Sequence, residues 1–309
     1  MRKLIILYTS LCAIVLVISA NPVLAQNVMF VSPNGSDGNS CAQAAPCVTF
    51  QGAYNKGSVS QINCLGSGLY GPITITTSLT IDCGAGNVGN IVSSTSAAIL
   101  INTSAAATII LRHLALNGLS SSSGVNGISA LSFFSGTLIV EDCMIHGYHS
   151  GLGIVFAPQS GRGLLQVSTS QVFDNGDGIG ITPPSGQIAS VTLNKVELVG
   201  NSFRGLFLTG AGVVAGTMRD SVAGENGQSG VVAGSSQVFF TVEESSIVDN
   251  LVNGIQTTTA GSAIKVGAST IGGNGTGVLA SSGSIVSFGD NHVSDNGSNG
   301  NFTSTTPLR

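Results

Sequence analysis

The sequence predicts an all-β solenoid, and three observations support that prediction. A short polar turn followed by glycine, and usually by an aliphatic residue, recurs every 23 to 27 residues. An asparagine stands at one fixed place in most of these units. Glycine contributes 43 of the 309 residues and charged side chains only 8%, as suits a tightly turning β protein. Units of this length bury an apolar face only by stacking on their neighbours, so one long domain is expected. The recurring glycines are Gly127, Gly153, Gly178, Gly205, Gly230, Gly254, Gly277 and Gly300.

The first 25 residues have the pattern of an export signal. Arg2 and Lys3 precede an apolar stretch over 4–20, and residues 23–25 (VLA) supply a cleavage site before Gln26. We therefore expect residues 1–25 to be removed and the mature chain to be secreted or periplasmic. The alternative is an uncleaved membrane anchor, which the shortness of the apolar run disfavours. No other segment is apolar enough for a membrane span, so none is expected after signal cleavage.

The mature chain is predicted to have three parts. Residues 26–60 form an N-terminal cap, residues 61–300 form the stacked coils, and residues 301–309 form a polar tail. Within the cap, the segment 46–56 carries apolar residues at helical spacing. This spacing predicts a short amphipathic helix that closes the open end of the rod.

Each unit also has a second recurring phrase ahead of its glycine. It consists of an apolar residue, two variable residues, a small residue, one variable residue and an aliphatic residue, as in 140–145 (VEDCMI) and 242–247 (VEESSI). Alternation of apolar and polar residues is strand periodicity. The two variable residues break this alternation, so we expect them at an outward bend. Each coil is thus predicted to hold two or three short strands.

The repeated asparagine and the repeated small residue are both predicted to be structural. An asparagine at the same turn of every coil can bond the coils before and after it, which satisfies backbone groups that the turn leaves unpaired. The small residue is expected to face inward. The asparagine column is Asn175, Asn201, Asn226, Asn250, Asn274 and Asn296. The small column is Cys143, Ser170, Val196, Ser221, Ser245, Ser269 and Asn291.

The charge of the chain argues against one class of partner. The formal net charge is −4, and it becomes −6 when Arg2 and Lys3 leave with the signal, since 8 basic residues then stand against 14 acidic ones. The sequence has no basic stripe. Nucleic acid is therefore not expected as a partner.

Four segments and the repeat together resemble a known superfamily. The segments are 30–37 (FVSPNGSD), 46–53 (PCVTFQGA), 70–75 (YGPITI) and 79–82 (LTID), and Asn-x-x-Gly-Ile repeats follow them. The chain resembles the right-handed parallel β-helix proteins of the pectin lyase-like superfamily, and more closely their exported bacterial members of undefined function. The resemblance covers nearly the whole mature chain and implies a single-stranded right-handed parallel β-helix with a short N-terminal capping helix. It implies no single activity, because the superfamily includes lyases, hydrolases, adhesins and inactive scaffolds.

Export to an oxidising compartment favours disulfides. Cys41 and Cys47 lie close in sequence and are predicted to close a small loop. Cys64 and Cys83 share the pattern Ile-x-Cys, which predicts matching positions on neighbouring coils and either a disulfide or two stacked thiols. Cys143 belongs to the small column and is predicted to be a buried space-filler.

The first candidate site lies around the strand that follows the recurring glycine. The segment 177–181 (DGIGI) resembles the acidic segment of polygalacturonase-type hydrolases, with Asp174 just upstream. His149 is expected about one coil before Asp177 and Arg204 about one coil after it. Two carboxylates with a histidine and an arginine suit acid–base glycoside chemistry. The paired Asp-Asp and the Gly-His-Gly element of that family are both absent, and turn-capping aspartates with a surface arginine explain the same residues.

The second candidate site is the bend column. Asp220 and Glu244 come from consecutive coils and could share a Ca²⁺ ion, as clustered carboxylates do in calcium-dependent pectate lyases. The favoured alternative is a solvated ladder of opposite charges, with Lys195 beside Asp220 and Arg219 beside Glu243. His146, His149 and His113 lack a fixed carboxylate or cysteine partner in the sequence, so no metal site is assigned to them.

The leading functional prediction is an exported, non-catalytic β-helix that binds or organises carbohydrate or another surface polymer. A rod with a flat, repetitive polar flank offers many weak contacts in series, which suits a polymer better than a small molecule. One alternative is a polysaccharide lyase or glycoside hydrolase of the pectin lyase-like type. Another is a structural protein that self-associates through an apolar strip around Phe207 or through its C-terminal end.

Overall fold

A computed structural model describes residues 27–84 and 86–306. Over this part the chain winds into a stack of three-sided coils, and each strand pairs in parallel with strands of the neighbouring coils. The predicted all-β solenoid is confirmed, and the protein is a parallel β-helix. The predicted signal over 1–25 and the last three residues of the predicted tail lie outside the described residues.

Each coil contributes in turn to a first, a second and a third sheet. The strands are numbered β1 to β30 in chain order. The first sheet contains β1 (Val28–Val31), β2 (Gln61–Cys64), β5 (Leu79–Asp82), β8 (Ala106–Arg112), β11 (Ser135–Glu141), β14 (Arg162–Ser168), β17 (Ile188–Asn194), β20 (Val213–Arg219), β23 (Val238–Glu243), the later parts of β25 (Asn253–Gly267) and β27 (Thr276–Ser287), and β30 (Ser304–Thr305).

The second sheet has ten short strands and is separate from the other two. It contains β3 (Gly68–Leu69), β6 (Gly89–Val92), β9 (Leu114–Asn117), β12 (Met144–His146), β15 (Gln171–Phe173), β18 (Glu197–Val199), β21 (Val222–Gly224), β24 (Ser246–Val248), β26 (Thr270–Gly272) and β28 (His292–Ser294).

The third sheet contains β4 (Ile73–Ile75), β7 (Ile99–Asn102), β10 (Ile128–Ser132), β13 (Leu152–Phe156), β16 (Asp177–Ile181), β19 (Arg204–Leu208), β22 (Ser229–Ala233), the first parts of β25 and β27, and β29 (Ser298–Gly300).

Inward side chains of the three sheets form one continuous apolar core. In β14, for example, Gly163, Leu165 and Val167 are buried while the residues between them are not. Leu165 is completely buried, because the coil before it and the coil after it cover its side chain. The core therefore grows by one layer per coil, as stacked repeats require.

The bend predicted from the two variable residues is confirmed. Between the first and second sheets, Asp142, Lys195, Asp220 and Glu244 take left-handed backbone with φ of 51°, 55°, 49° and 49°. A single left-handed residue turns the chain sharply between two strands. We call this edge the first corner. The second corner, between the second and third sheets, also has a left-handed residue, as at Asp174 with φ of 54°.

The asparagine ladder lies just after the second corner, and all of its members except Asn296 are buried. Asn201 donates from Nδ2 to Oδ1 of Asn226 at 3.0 Å and to the carbonyl of Val172 at 3.2 Å. The backbone amide of Asn201 also donates to Oδ1 of Asn226, at 3.1 Å. Each asparagine thus joins its own coil to the next and satisfies buried backbone groups, as predicted.

The structure also explains the recurring glycine that follows the ladder. A Cβ atom built on Gly230 would lie 2.8 Å from the carbonyl oxygen of Gly254, the matching glycine of the next coil. The same atom would lie 2.9 Å from Nδ2 of Asn250. Glycine recurs because the backbones of successive coils and the ladder amides approach too closely for any side chain.

A five-residue helix, α1 (Phe50–Tyr54), lies at the N-terminal end and is shorter than the 46–56 segment in which it was predicted. The side chain of Thr49 caps it by accepting the amide of Gly52 at 2.8 Å. Phe50 packs in the core with its ring 4.9 Å from that of Tyr70. Within the described ranges, no helix is long and apolar enough to cross a membrane.

Both ends of the described chain join the stack. Strand β1 pairs with β2, and the beginning of the predicted tail forms β30 on the first sheet. Phe302 packs partly buried against the core. The division into a cap over 26–60, coils over 61–300 and a tail over 301–309 stays a prediction.

The two predicted cysteine pairs are disulfides, Cys41–Cys47 and Cys64–Cys83. The second bridge links neighbouring coils, so the alternative of two stacked thiols is not adopted. Cys143 is free and buried, as predicted. Burial raises the pKa of its thiol to about 12.

Candidate functional site

His149 and Asp174, from the first candidate site, form an exposed pair at the second corner. Nε2 of His149 lies 3.0 Å from Oδ1 of Asp174, one coil later. The left-handed backbone at Asp174 places this carboxylate on the outer edge of the corner. The other carboxylate oxygen of Asp174 makes no hydrogen bond with the imidazole of His149.

Asp177 and Arg204 form a second pair, which is more deeply buried. Nε of Arg204 donates to one carboxylate oxygen of Asp177 and its terminal nitrogen donates to the other, both at 2.8 Å. The backbone amide of Arg204 also donates to Asp177, at 3.0 Å. The guanidinium carbon lies 3.6 Å from the centroid of the Phe207 ring. Asp177 thus clamps β16 to β19.

The four residues therefore form two pairs instead of one cluster. No hydrogen bond or ion pair in the described ranges joins His149 or Asp174 to the other pair. A glycosidase needs one carboxyl group that gives a proton and a second that acts as base or nucleophile. The oxygens of Asp177 are already taken up by Arg204.

The outer face of the third sheet around this pair is largely covered. Val155 and Val232 point outward yet are only 5% and 4% exposed, and the side chain of Leu152 covers Gly180. Phe207, the centre of the predicted apolar strip, lies under the guanidinium of Arg204. This face offers few polar groups to a substrate.

In the bend column, Arg219 is the centre of a charged cluster. Its strand register places it beside Glu243, as expected, but its guanidinium binds Glu244, with Nε at 3.1 Å from Oε2. Asp220 lies 3.8 Å from the same guanidinium. The hydrogen bond that Arg219 donates to Glu244 raises the pKa of Arg219. Lys195 makes no ion pair with any described residue.

These residues do not fit a calcium site. Ca²⁺ takes six to eight oxygen ligands, whereas Asp220 and Glu244 both face one arginine. In the part of the chain that the structure describes, no group of three or more His, Cys, Asp or Glu side chains is placed to hold a metal ion. His113 lies on the coil before that of His146, and its Nδ1 is 2.8 Å from Oδ1 of Asp82, one coil earlier again.

A groove on the outer face of the second sheet is the feature that the sequence did not predict. We call it the second-sheet groove. Its larger section has a volume of about 540 Å³ and its smaller section about 340 Å³, and Gln171 and Glu197 line both. On the side of the first corner, the larger section is lined by His113, Asp142 and Lys195. The larger section runs along the rod on the side of the first corner, and the smaller section lies beside it, toward the second corner.

Outward side chains of four consecutive strands form the floor of the larger section. They are Ala115 on β9, Met144 on β12, Gln171 on β15 and Glu197 on β18, all in one register. Nε2 of Gln171 donates to Oε2 of Glu197 at 2.8 Å. The floor is therefore apolar in its first two coils and carries hydrogen-bonding groups in the next two.

Two aromatic rings stand beside this floor. The rings of His146 and Phe173, paired in register on β12 and β15, stack with centroids 4.9 Å apart and planes 5° apart. Burial lowers the pKa of His146, against a smaller opposite effect of Asp174. Phe173 lines the smaller section together with Asp174, Val199 and Gly200.

A sequence signal for the groove existed but was weak. Met144, Gln171 and Glu197 flank the inward aliphatic of the second recurring phrase, which identifies them as outward residues of one column. Their chemistry varies from coil to coil, so no repeated motif marks them. Corner residues such as Asp142 and Lys195 also line the groove, and their left-handed backbone cannot be read from spacing.

Comparisons with known proteins add little to this picture. No protein-family model matches the chain, and a search of curated proteins found no match. A search of solved structures found the A-module of the mannuronan C-5 epimerase AlgE4 from Azotobacter vinelandii. The two chains are 12% identical, with 89% of this chain and 96% of that chain covered and a TM-score of 0.40. A likeness of this size supports no statement about activity, and what the fold itself establishes is a parallel β-helix protein.

Proposed function

We propose that this protein is an exported β-helix that binds a polysaccharide along the second-sheet groove without cleaving it. The observation that carries the proposal is the groove itself, which crosses several coils on one face of the rod. Export is the sequence prediction, and the two disulfides are consistent with it.

The composition of the groove supports a sugar polymer as ligand. Gln171, Glu197 and Asp142 present donors and acceptors to sugar hydroxyls, while Met144 and Phe173 present apolar surface. Met144 is 41% exposed, so its side chain is accessible to a ligand in the groove. Coils are about 4.8 Å apart, so a polymer lying along the rod meets a new set of side chains at each coil.

The pairing of the carboxylates supports binding without cleavage. Asp177 is held by Arg204, Asp174 contacts His149, and Glu197 accepts from Gln171. Asp177 and Asp174, the pair suggested for catalysis, belong to different ion pairs beside a covered sheet face. Binding in series requires none of them to transfer a proton.

Two substitutions at matching positions of different coils test the location of the site. Gln171 and Thr270 are both exposed, and both occupy the same outward column of the second sheet, four coils apart. Gln171→Arg places a long side chain inside the groove, so retention on immobilised polysaccharide should fall at least tenfold. Thr270→Arg adds the same charge outside the groove and should leave retention unchanged.

The same preparations test for cleavage. Protein is incubated with uronate-rich and neutral polysaccharides, with and without Ca²⁺, and new reducing or unsaturated ends are measured. We expect retention without new ends. New ends in either condition contradict the non-catalytic proposal, and equal retention by the two arginine variants contradicts the position of the site.

A further inference from the structure

We propose that Phe173 forms a stacking subsite for an uncharged sugar ring, so that the protein selects neutral polysaccharides over uronate-rich ones. This inference rests on the proposed function and names its ligand class. The subsite is the smaller section of the second-sheet groove.

The aromatic stack ends at Phe173. The rings of His146 and Phe173 are parallel to within 5° and belong to successive coils, so their planes face one another along the rod. His146 covers one face of the Phe173 ring. On the other side, the next coil has Val199 in register, followed by Gly200, which has no side chain. Val199 is shorter than the Phe173 ring and both line the smaller section, so part of that face of the ring borders the groove.

The space beyond the stack has the size of a ligand site. Phe173, Val199, Gly200 and Asp174 line a section of about 340 Å³, within the range of pockets that hold small ligands. A pyranose ring has an apolar C–H face that packs against an aromatic ring and buries apolar area. A sugar ring bound in this section packs against the Phe173 ring beside Val199.

The polar rim of the subsite suits hydroxyl groups. Oδ1 of Asp174 lies 3.0 Å from Nε2 of His149, and Oε2 of Glu197 accepts from Gln171 at 2.8 Å. A carboxylate has about four acceptor positions, so each group keeps capacity to accept from a sugar hydroxyl. Hydrogen bonds to charged acceptors are stronger than neutral ones.

Charge distinguishes neutral sugars from uronates. The groove is lined by the carboxylates of Asp142, Glu197 and Asp174 against the single ammonium of Lys195. Of the described residues that line the smaller section, only Glu197 and Asp174 carry a charge. A uronate carboxylate placed there meets two like charges, which repel it. A neutral ring meets no such repulsion.

The test measures the affinity of the full protein for soluble xylan, galactomannan and β-glucan, and for polygalacturonate, by affinity electrophoresis. Phe173→Ala should weaken binding of the neutral polymer at least tenfold, whereas Phe173→Tyr should keep it. Val248→Ala is the matched control, because Val248 occupies the same outward column three coils later. Thermal unfolding confirms that each variant is folded.

A second variant tests the charge argument. Replacing both carboxylates, by Asp174→Asn with Glu197→Gln, should raise the affinity for polygalacturonate several-fold. Polygalacturonate bound by the wild-type protein as tightly as the neutral polymers would overturn the selectivity.

The outcomes separate this inference from the proposed function. Neutral polymer bound equally well by Phe173→Ala and by the wild-type protein overturns the subsite and leaves polymer binding in place. Wild-type protein that retains no polysaccharide overturns both.

Discussion

Asp177 accepts hydrogen bonds from the guanidinium and from the backbone amide of Arg204 while it is only 7% exposed. At the scale of single residues, this arrangement gives a structural role to a carboxylate that the sequence placed in a candidate catalytic site. A buried carboxylate bound on both oxygens joins two coils, and breaking such a pair leaves a charge without its partner. In the bend column, the exposed side chains of Arg219 and Glu244 likewise form an ion pair between two coils.

Cys143 allows a direct test of the core at residue scale. With a thiol pKa of about 12, roughly one molecule in ten thousand carries the reactive thiolate at pH 8. We expect Cys143 to stay unmodified by iodoacetamide in the native protein and to react fully in guanidinium chloride. Peptide mapping by mass spectrometry measures this at Cys143 itself.

The pH dependence of the same reaction is the control. Raising the pH from 7 to 9 should leave native Cys143 unmodified, since its pKa lies well above that range. Alkylation of the native protein at the rate of the unfolded chain would contradict the burial of this thiol.

At the scale of one coil, the asparagine ladder and the recurring glycine depend on each other. A Cβ atom on Gly230 would stand 2.9 Å from Nδ2 of Asn250 and 2.8 Å from the carbonyl oxygen of Gly254. The ladder therefore fits only beside a glycine. This dependence explains why both residues recur together along the sequence.

Removing one ladder asparagine tests this dependence. Asn226 donates to Leu198 and Asn250 and accepts from the side chain and backbone of Asn201, all buried. Asn226→Ala leaves at least two backbone groups without partners, and it should lower the free energy of unfolding by about 2 kcal/mol or more. Chemical denaturation monitored by circular dichroism measures the change.

Asn296→Ala is the matched control in the last coil of the ladder. Asn296 is half-buried, so water can replace some of the hydrogen bonds that its side chain makes. Its substitution should cost less than half as much as that of Asn226. An equal cost for both variants would show that burial of the ladder does not determine its contribution.

Much of a coil could be predicted from the sequence, because repeated residues report repeated surroundings. The glycine and asparagine columns predicted the ladder, and matching Ile-x-Cys patterns predicted that Cys64 and Cys83 lie on neighbouring coils. The second-sheet groove was missed because its residues differ from coil to coil. The ion pair of Arg219 with Glu244 also depends on a left-handed corner that no spacing specifies.

At the scale of the whole molecule, the second and third sheets of the rod have outer faces with different properties. The outer third-sheet face near Asp177 is covered by its own side chains, and Arg204 shields Phe207. The second sheet has the groove, with exposed Met144 on its floor. A polymer that binds the rod is therefore expected on the second sheet.

Hydroxyl-radical footprinting of the protein with and without a saturating neutral polysaccharide tests this claim most directly. Bound polymer should slow oxidation of Met144 and Phe173 several-fold, because both line the second-sheet groove. Oxidation of Phe239, which is 53% exposed on the first sheet, should not change. Protection of Phe207 on the third sheet, with Met144 and Phe173 oxidised at their original rates, would contradict the account.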